Sequence, residues 1–140
     1  MDTVLTEKSL YCEANHIAIH CVADGAGLEF IDAVDLYTVF GNALDNAIEC
    51  VQQIEPTEQR MIDVLICREV GCLVVHIRNP MEGKLDFVDG LPRTTKEDNG
   101  YHGYGLKSIR HTVEQYGGHM NVKAENGWFS LKLLIPIEND

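Results

Sequence analysis

The chain has 140 residues and a formal net charge of −11, with 45% apolar and 24% charged residues. This length and composition predict one globular domain, long enough to bury roughly two-thirds of the surface of its unfolded chain. The acidic balance argues against nucleic acid as a partner, because phosphate backbones are bound by basic surfaces. No apolar run approaches the roughly 18 residues of a membrane-spanning helix, so we expect a soluble domain without direct membrane contact.

Hydrophobic periodicity predicts three helices and about five strands. Residues 2–14 fit a helix without a clear cap, which we interpret as the end of a helix leading from an absent upstream domain, with the domain proper at 15–140. In chain order, the remaining elements are expected at 16–22 (strand), 34–53 (helix), 62–68 and 73–78 (strands), 104–116 (helix), and 120–125 and 128–137 (strands). A long irregular stretch is expected from 79 to about 103. The pattern favours a layered α/β fold with mostly antiparallel strands and the helices on one face.

Two asparagines, Asn42 and Asn46, lie four residues apart in the most amphipathic predicted helix. Asparagine is a mediocre helix former, and this spacing places both carboxamides on the polar face, about 40° apart. One interpretation is an ordinary solvated face. The other is a magnesium site, because Mg²⁺ favours hard oxygen ligands and often shares substrate phosphates.

A glycine-rich segment, Gly103-Tyr104-Gly105-Leu106, marks the start of the last predicted helix. Glycine lets the backbone approach a ligand closely, and a helix N-terminus offers free N–H groups to phosphate. Lys96 and His102 add positive charge to a locally basic region, which in an acidic protein can accept a small polyanion. The alternative is a flexible loop that enters a helix.

In this order, the two motifs resemble those of the GHKL superfamily, the ATP-binding fold shared by gyrase, the heat-shock chaperone of that class, histidine kinases and mismatch-repair ATPases. Residues 41–49 look like its asparagine box, and residues 103–106 look like its second glycine box. The phrases NALDNAIE and TTK…HGYGLKSI are similar to the forms in peptide-sensing histidine kinases of the accessory-gene-regulator type. The resemblance spans roughly residues 14–137. It implies an α/β (α+β) two-layer sandwich of the GHKL, or Bergerat, type.

The resemblance also implies roles for individual residues. Asn46 would be the magnesium ligand, with Asn42 beside it in the catalytic and metal-binding set. Asn42 stands where hydrolysing relatives carry a glutamate that activates water, and an amide cannot act as a general base at neutral pH. That favours phosphoryl transfer to a histidine over hydrolysis. The full predicted nucleotide-binding set is Asn42, Asn46, Asn79, Lys96, His102, Gly103, Tyr104, Gly105 and Leu106.

Three departures from the family pattern concern the nucleotide. Asn79 stands where the first glycine box normally supplies an aspartate that accepts a hydrogen bond from the adenine amino group. A neutral acceptor is weaker than a carboxylate, by about 1 kcal/mol. Glu49 replaces a residue that is often basic, and Phe87 is a poor candidate for the aromatic box of the lid.

The function implied is that of a Mg²⁺-ATP-binding catalytic domain in a cytoplasmic histidine kinase, at the cytosolic end of a membrane-anchored sensor. Its partners would be ATP and ADP, a histidine-bearing dimerisation domain of the same parent, and a downstream response regulator. Two alternatives stay open: a degenerate nucleotide-binding module without phosphotransfer, and another ATPase of the GHKL superfamily.

Overall fold

A computed structural model describes residues 2–23, 30–83, 87–92 and 101–137, excepting the side chains of residues 2, 3 and 101–104. The helices are α1 (Asp2–Ala14), α2 (Ala33–Val51) and α3 (Tyr101–Gln115). The strands are β1 (Ala18–Ala23), β2 (Met61–Glu69), β3 (Cys72–Pro80), β4 (Phe87–Val88), β5 (Leu91–Pro92), β6 (His119–Glu125) and β7 (Trp128–Pro136). None of the helices within these ranges combines the length and apolarity needed to cross a membrane.

Five strands form one sheet in the order β1-β2-β3-β7-β6. β1 pairs with β2 in parallel, and the other three pairings are antiparallel. α2 packs against β2 and β3, α3 packs against α2 and β6, and α1 packs against α2 and β1. This arrangement confirms the predicted two-layer sandwich, with five mostly antiparallel strands and three helices on one face.

The buried layer follows from residue periodicity. On β2 and β3 every second side chain is apolar and buried, as a half-covered sheet requires: Ile62, Val64, Ile66, Leu73, Val75 and Ile77. On α2 the buried apolar side chains recur at three- and four-residue spacing: Leu36, Val39, Phe40, Ala43, Leu44, Ala47, Ile48 and Val51. Asp32 caps α2 by accepting a hydrogen bond from the Val34 N–H at 3.1 Å. α2 therefore lies between the sheet and solvent, with a polar face left uncovered by the sheet.

Tyr116 fastens the end of α3 to the start of α2. Its hydroxyl donates to the Asp35 carboxylate at 2.6 Å and accepts from the Asp32 N–H at 3.1 Å. A hydrogen bond to a charged group is worth more than one between neutral groups. The separation of the two helices that carry the predicted motifs is thus set at this end by a side-chain contact.

Arg60 joins the C-terminal ends of α1 and α2. Its guanidinium donates to the carbonyls of Gln52 and Ile54, both at 3.0 Å, and to that of Asn15 at 3.4 Å. Helix C-termini leave carbonyls without intrahelical partners, and a nearby cation also interacts favourably with the helix dipole. α1 is consequently held to the domain at its end as well as along its length.

The irregular stretch predicted from 79 to 103 is wrong in three places. Asn79 and Pro80 extend β3, because both pair with β7. A small hairpin, β4–β5, turns at Asp89 and Gly90, whose φ angles of 54° and 78° suit a two-residue turn. α3 begins at Tyr101 rather than at residue 104, so Gly103 lies within a helix instead of a loop. The packing of the helix outweighs the cost of its glycines, about 1 kcal/mol each.

Candidate functional site

The polar face of α2 presents the two asparagines differently. Asn46 is 8% exposed and is one of the few buried polar side chains, whereas Asn42 is half-buried. Burying a carboxamide is unfavourable unless it is hydrogen-bonded, so a buried Asn46 is a positioned polar group rather than part of an ordinary solvated face. The pair spans the boundary between the packed interior and the solvent side of α2.

The glycine-rich start of α3 lies against Asn42. A Cβ placed on Gly105 would be 3.9 Å from both Cβ and Oδ1 of Asn42. The two predicted motifs, which are far apart in sequence, therefore meet in the structure, with an amide oxygen at the point of contact.

The first turn of α3 is suited to an anion. It contains no acidic side chain, so no carboxylate of its own neutralises the positive end of the helix dipole. The backbone of His102, Gly103 and Tyr104 belongs to this turn, where N–H groups have no partners within the helix. The side chains of His102 and Tyr104, and all of Lys96, lie outside the described residues. Leu106 is 1% exposed and packs in the core, so its side chain is a core residue and not a ligand contact.

Asn79 lies near the end of β3 and is completely buried. Its Nδ2 donates to the Pro80 carbonyl at 2.9 Å. Its Oδ1 is buried and finds no hydrogen-bond partner among the described residues. An unpaired buried acceptor costs about 1–3 kcal/mol, and such an atom is accounted for if a ligand supplies the missing donor.

Cys50 connects Asn79 to α2. Burial raises the pKa of the Cys50 thiol, a hydrogen bond with the Asn79 side chain opposes that rise, and the negative charge of Glu49 adds to it. The pKa remains raised overall, so the thiol is neutral at physiological pH. The contact itself matters more for the site than the titration, because it brings the end of β3 to the polar side of α2.

Asn42, Asn46 and Cys50 stand at successive four-residue intervals and form one stripe along α2, which we call the 42–46–50 stripe. With a rise of 1.5 Å per residue, it runs about 12 Å along the helix axis. Gly105 contacts its first residue, and Asn79 lies beside its last. The stripe thus has a helix N-terminus at one end and an unpaired acceptor at the other, a separation suited to an extended nucleotide. Sequence reasoning missed Cys50, although the four-residue spacing from Asn46 was a usable signal.

The donor set fits an ion that arrives with a ligand. Among the described residues, no group of three or more His, Cys, Asp or Glu side chains could hold a metal ion. A metal on the 42–46–50 stripe would depend on the amide oxygens of Asn42 and Asn46 and on phosphate and water oxygens. That combination is typical of Mg²⁺, which keeps several waters and shares substrate phosphates.

A family model described as GHKL domain matches residues 31–136, which is most of the chain. The chain therefore belongs to the GHKL domain family. A comparison with curated protein sequences finds no match.

Solved structures of histidine kinases share the fold. The catalytic domain of the histidine kinase ThkA, in a nucleotide-free crystal form, has a TM-score of 0.73 at 19% identity, over 99% of this chain and 92% of that one. A second nucleotide-free form has a TM-score of 0.70 at 16% identity, over 97% and 90% of the two chains. The histidine kinase AdeS of Acinetobacter baumannii has a TM-score of 0.70 at 13% identity over 99% of this chain, which spans 63% of the AdeS chain. The chain thus has the fold of histidine kinase catalytic domains.

Replacing Gly105 by alanine tests whether this glycine is required for folding. A Cβ there meets Asn42 only at ordinary van der Waals distance, and alanine is the better helix former. Gly105→Ala should therefore leave the free energy of unfolding unchanged or raise it by about 0.5–1 kcal/mol, measured by urea denaturation.

Gly118→Ala is the matched control. Its Cβ would lie 2.5 Å from the Leu134 carbonyl oxygen and 2.9 Å from Val113 Cγ1, and such overpacking should cost about 1–3 kcal/mol. An equal loss in both variants would contradict the ordinary van der Waals distance between a Cβ on Gly105 and Asn42.

Proposed function

We propose that this chain is the ATP-binding catalytic domain of a two-component sensor histidine kinase, which presents the γ-phosphate of Mg²⁺-ATP to a histidine on a separate dimerisation domain. The observation that carries the proposal is the 42–46–50 stripe, with Gly105 at one end and Asn79 at the other. Family membership and the shared fold support it.

The adenine end of the nucleotide is assigned to Asn79. The exocyclic amino group of adenine is a donor, and Asn79 Oδ1 is an acceptor without a partner among the described residues. The amide nitrogen already donates to Pro80, which fixes the amide so that oxygen is the atom left for the base. Guanine carries a carbonyl oxygen in place of that amino group and would leave Asn79 unsatisfied, so the assignment implies a preference for ATP.

The phosphate end is assigned to the first turn of α3. Its backbone N–H groups and helix dipole favour negative charge, and Gly105 leaves room beside Asn42. Lys96 and His102 are proposed to approach the phosphates there. Asn46 is proposed as the magnesium ligand, assisted by Asn42. Bound Mg²⁺ would neutralise charge on the phosphates and orient them.

Asn42 determines which reaction is favoured. Its neutral carboxamide cannot remove a proton from water, so hydrolysis lacks a general base at this position. Phosphoryl transfer by a loose transition state relies mainly on positioning and electrostatic stabilisation, and an imidazole nucleophile needs no deprotonation by the domain. Transfer to histidine is therefore favoured over an ATPase cycle.

The parent protein that we propose is a membrane-anchored sensor of the accessory-gene-regulator type, with this domain on the cytosolic side. In it, residues 1–14 would continue from the histidine-bearing domain, and a response regulator would receive the phosphoryl group.

A second candidate, a nucleotide-binding module without phosphotransfer, is favoured by one observation. Glu49 lies on α2 beside the 42–46–50 stripe and bears a negative charge that acts on Cys50. A carboxylate near bound phosphates opposes binding of the fully charged triphosphate, which would favour ADP retention without transfer.

Nucleotide binding is checked by thermal unfolding with and without Mg²⁺-ATP. At 100 times its dissociation constant, the ligand should stabilise the native state by about 2.7 kcal/mol. Asn46→Ala should abolish the magnesium-dependent part of this stabilisation. Asn121→Ala, at an exposed position on β6, is the control and should behave as wild type. Equal responses from both variants would remove Asn46 from the site.

A phosphotransfer assay distinguishes the proposed kinase from the proposed binding module. The chain is mixed with the parent's histidine-bearing domain and γ-labelled ATP. We expect label on the histidine, in an acid-labile form, and little free phosphate. Stabilisation by nucleotide without labelled histidine would support the binding module, and rapid release of phosphate would support an ATPase.

A further inference from the structure

α1 lies along α2 in a regular series of contacts. Val4 is 2% exposed and lies at Gly41, where a Cβ would be 4.0 Å from its Cγ2. The Lys8 ammonium is 2.5 Å from Asp45 Oδ1, and the Tyr11 hydroxyl accepts from Gln52 Nε2 at 2.7 Å. The contacts advance in the same direction on both helices, so α1 and α2 run parallel.

The ion pair between Lys8 and Asp45 lies next to the asparagines that are predicted to bind magnesium. Asp45 is three residues after Asn42, so these two side chains are neighbours on the surface of α2. The ion pair is partly buried, with 17% of the Lys8 side chain and 35% of the Asp45 side chain exposed. Burial lowers the pKa of Lys8, but the hydrogen bond and charge of Asp45, together with the charges of Glu7 and Tyr37, outweigh burial and leave the pKa raised. Lys8 is therefore charged throughout the physiological range.

Among the described residues, Lys8 is also the one cation that lines the groove between the two helices. This groove has a volume of about 410 Å³, and its lining includes the carboxylates of Glu7, Asp45 and Glu49. Without Lys8 the groove would have three acidic groups and no cation of its own beside the face proposed to receive phosphates. Charges separated by less than a Debye length, about 8–10 Å, still interact appreciably in physiological salt.

We propose that Lys8 is a positioning residue for nucleotide binding: it holds and neutralises Asp45, so that the affinity of the 42–46–50 stripe for phosphate depends on α1 being seated on α2. This inference rests on the proposed function. Displacing α1 withdraws the ammonium from Asp45 and exposes a carboxylate to the phosphates, which weakens nucleotide binding. α1 contributes no residue to the 42–46–50 stripe, but its position thereby controls the charge beside that stripe.

The test is a double-mutant cycle on the intact 140-residue chain, with the Mg²⁺-ATP dissociation constant measured by calorimetry at low salt. Lys8→Met should weaken binding about threefold to tenfold. Asp45→Asn should not weaken it, and Lys8→Met combined with Asp45→Asn should restore wild-type affinity. Lys8→Arg should retain affinity. The defect of Lys8→Met should shrink as the salt concentration rises, because salt screens exposed charges.

Two controls separate charge at this position from other effects. Lys123→Met removes the same charge from an exposed position on β6 and should leave the dissociation constant unchanged. Tyr11→Phe removes a neighbouring α1–α2 hydrogen bond without changing charge, and should also leave it unchanged. Urea denaturation confirms that each variant is folded.

The proposal is overturned if the double variant binds as weakly as Lys8→Met, because the defect would then come from lost helix packing. It is also overturned if Lys8→Met binds as tightly as wild type, which leaves the proposed function intact. If wild type itself does not bind Mg²⁺-ATP, both the inference and the proposed function fail.

Discussion

The close approach of α2 and α3 is the constraint on which the rest of the site depends. Gly105 and Asn42 form the contact at one end, where a Cβ on the glycine would lie 3.9 Å from Asn42. Tyr116 fixes it at the other end, through hydrogen bonds to Asp35 and the Asp32 backbone. A larger separation would detach the helix N-terminus from the asparagines, and each would then be an isolated polar feature. Held together, they make a continuous surface of amide oxygens, N–H groups and open backbone.

The electrostatics of this surface suit a small polyanion in an acidic protein. A chain with a net charge of −11 repels long polyanions, yet the 42–46–50 stripe itself carries no carboxylate. Its groups are neutral amides and a neutral thiol, joined by the positive end of a helix dipole. Two of the acids on α2 have a partner: Asp45 is paired with Lys8, and Asp35 accepts a hydrogen bond from Tyr116. Glu49 lies beside the stripe, next to Cys50. Under the proposed function, selectivity for a nucleotide over a nucleic acid would follow from this local arrangement rather than from overall charge.

Much of the fold was predictable because it depends on local patterns. The buried apolar face of α2 follows from apolar periodicity. The hairpin of β2 and β3 and the hairpin of β6 and β7 follow from apolar periodicity and turn residues. Other features of the fold depend on the pairing of strands that are distant in sequence. β1 starts at Ala18, after His16 adopts a φ of 59°, and its parallel pairing with β2 leaves no sequence signal. Asn79 is in a strand only because β7 lies beside it.

Part of the candidate site was likewise predictable from the sequence, and part was not. Family motifs identified Asn42, Asn46 and Gly105, and the structure brings them together. Periodicity could not show that Asn46 is buried, since that depends on what covers α2, or that Asn79 Oδ1 is left without a partner among the described residues. The Lys8–Asp45 pair joins residues 37 positions apart, so nothing local to either residue predicted it. Lys96 and the side chain of His102 lie outside the described residues and remain predictions.

A titration of the ¹⁵N-labelled chain with Mg²⁺-ATP, followed by NMR, shows which residues meet the nucleotide. We expect the largest chemical-shift changes at the side-chain amides of Asn42, Asn46 and Asn79 and at the Gly105 backbone N–H, with the outer face of β6 unaffected. Changes confined to other surfaces, or none at saturating nucleotide, would contradict the claim that α2, α3 and the end of β3 form one nucleotide site.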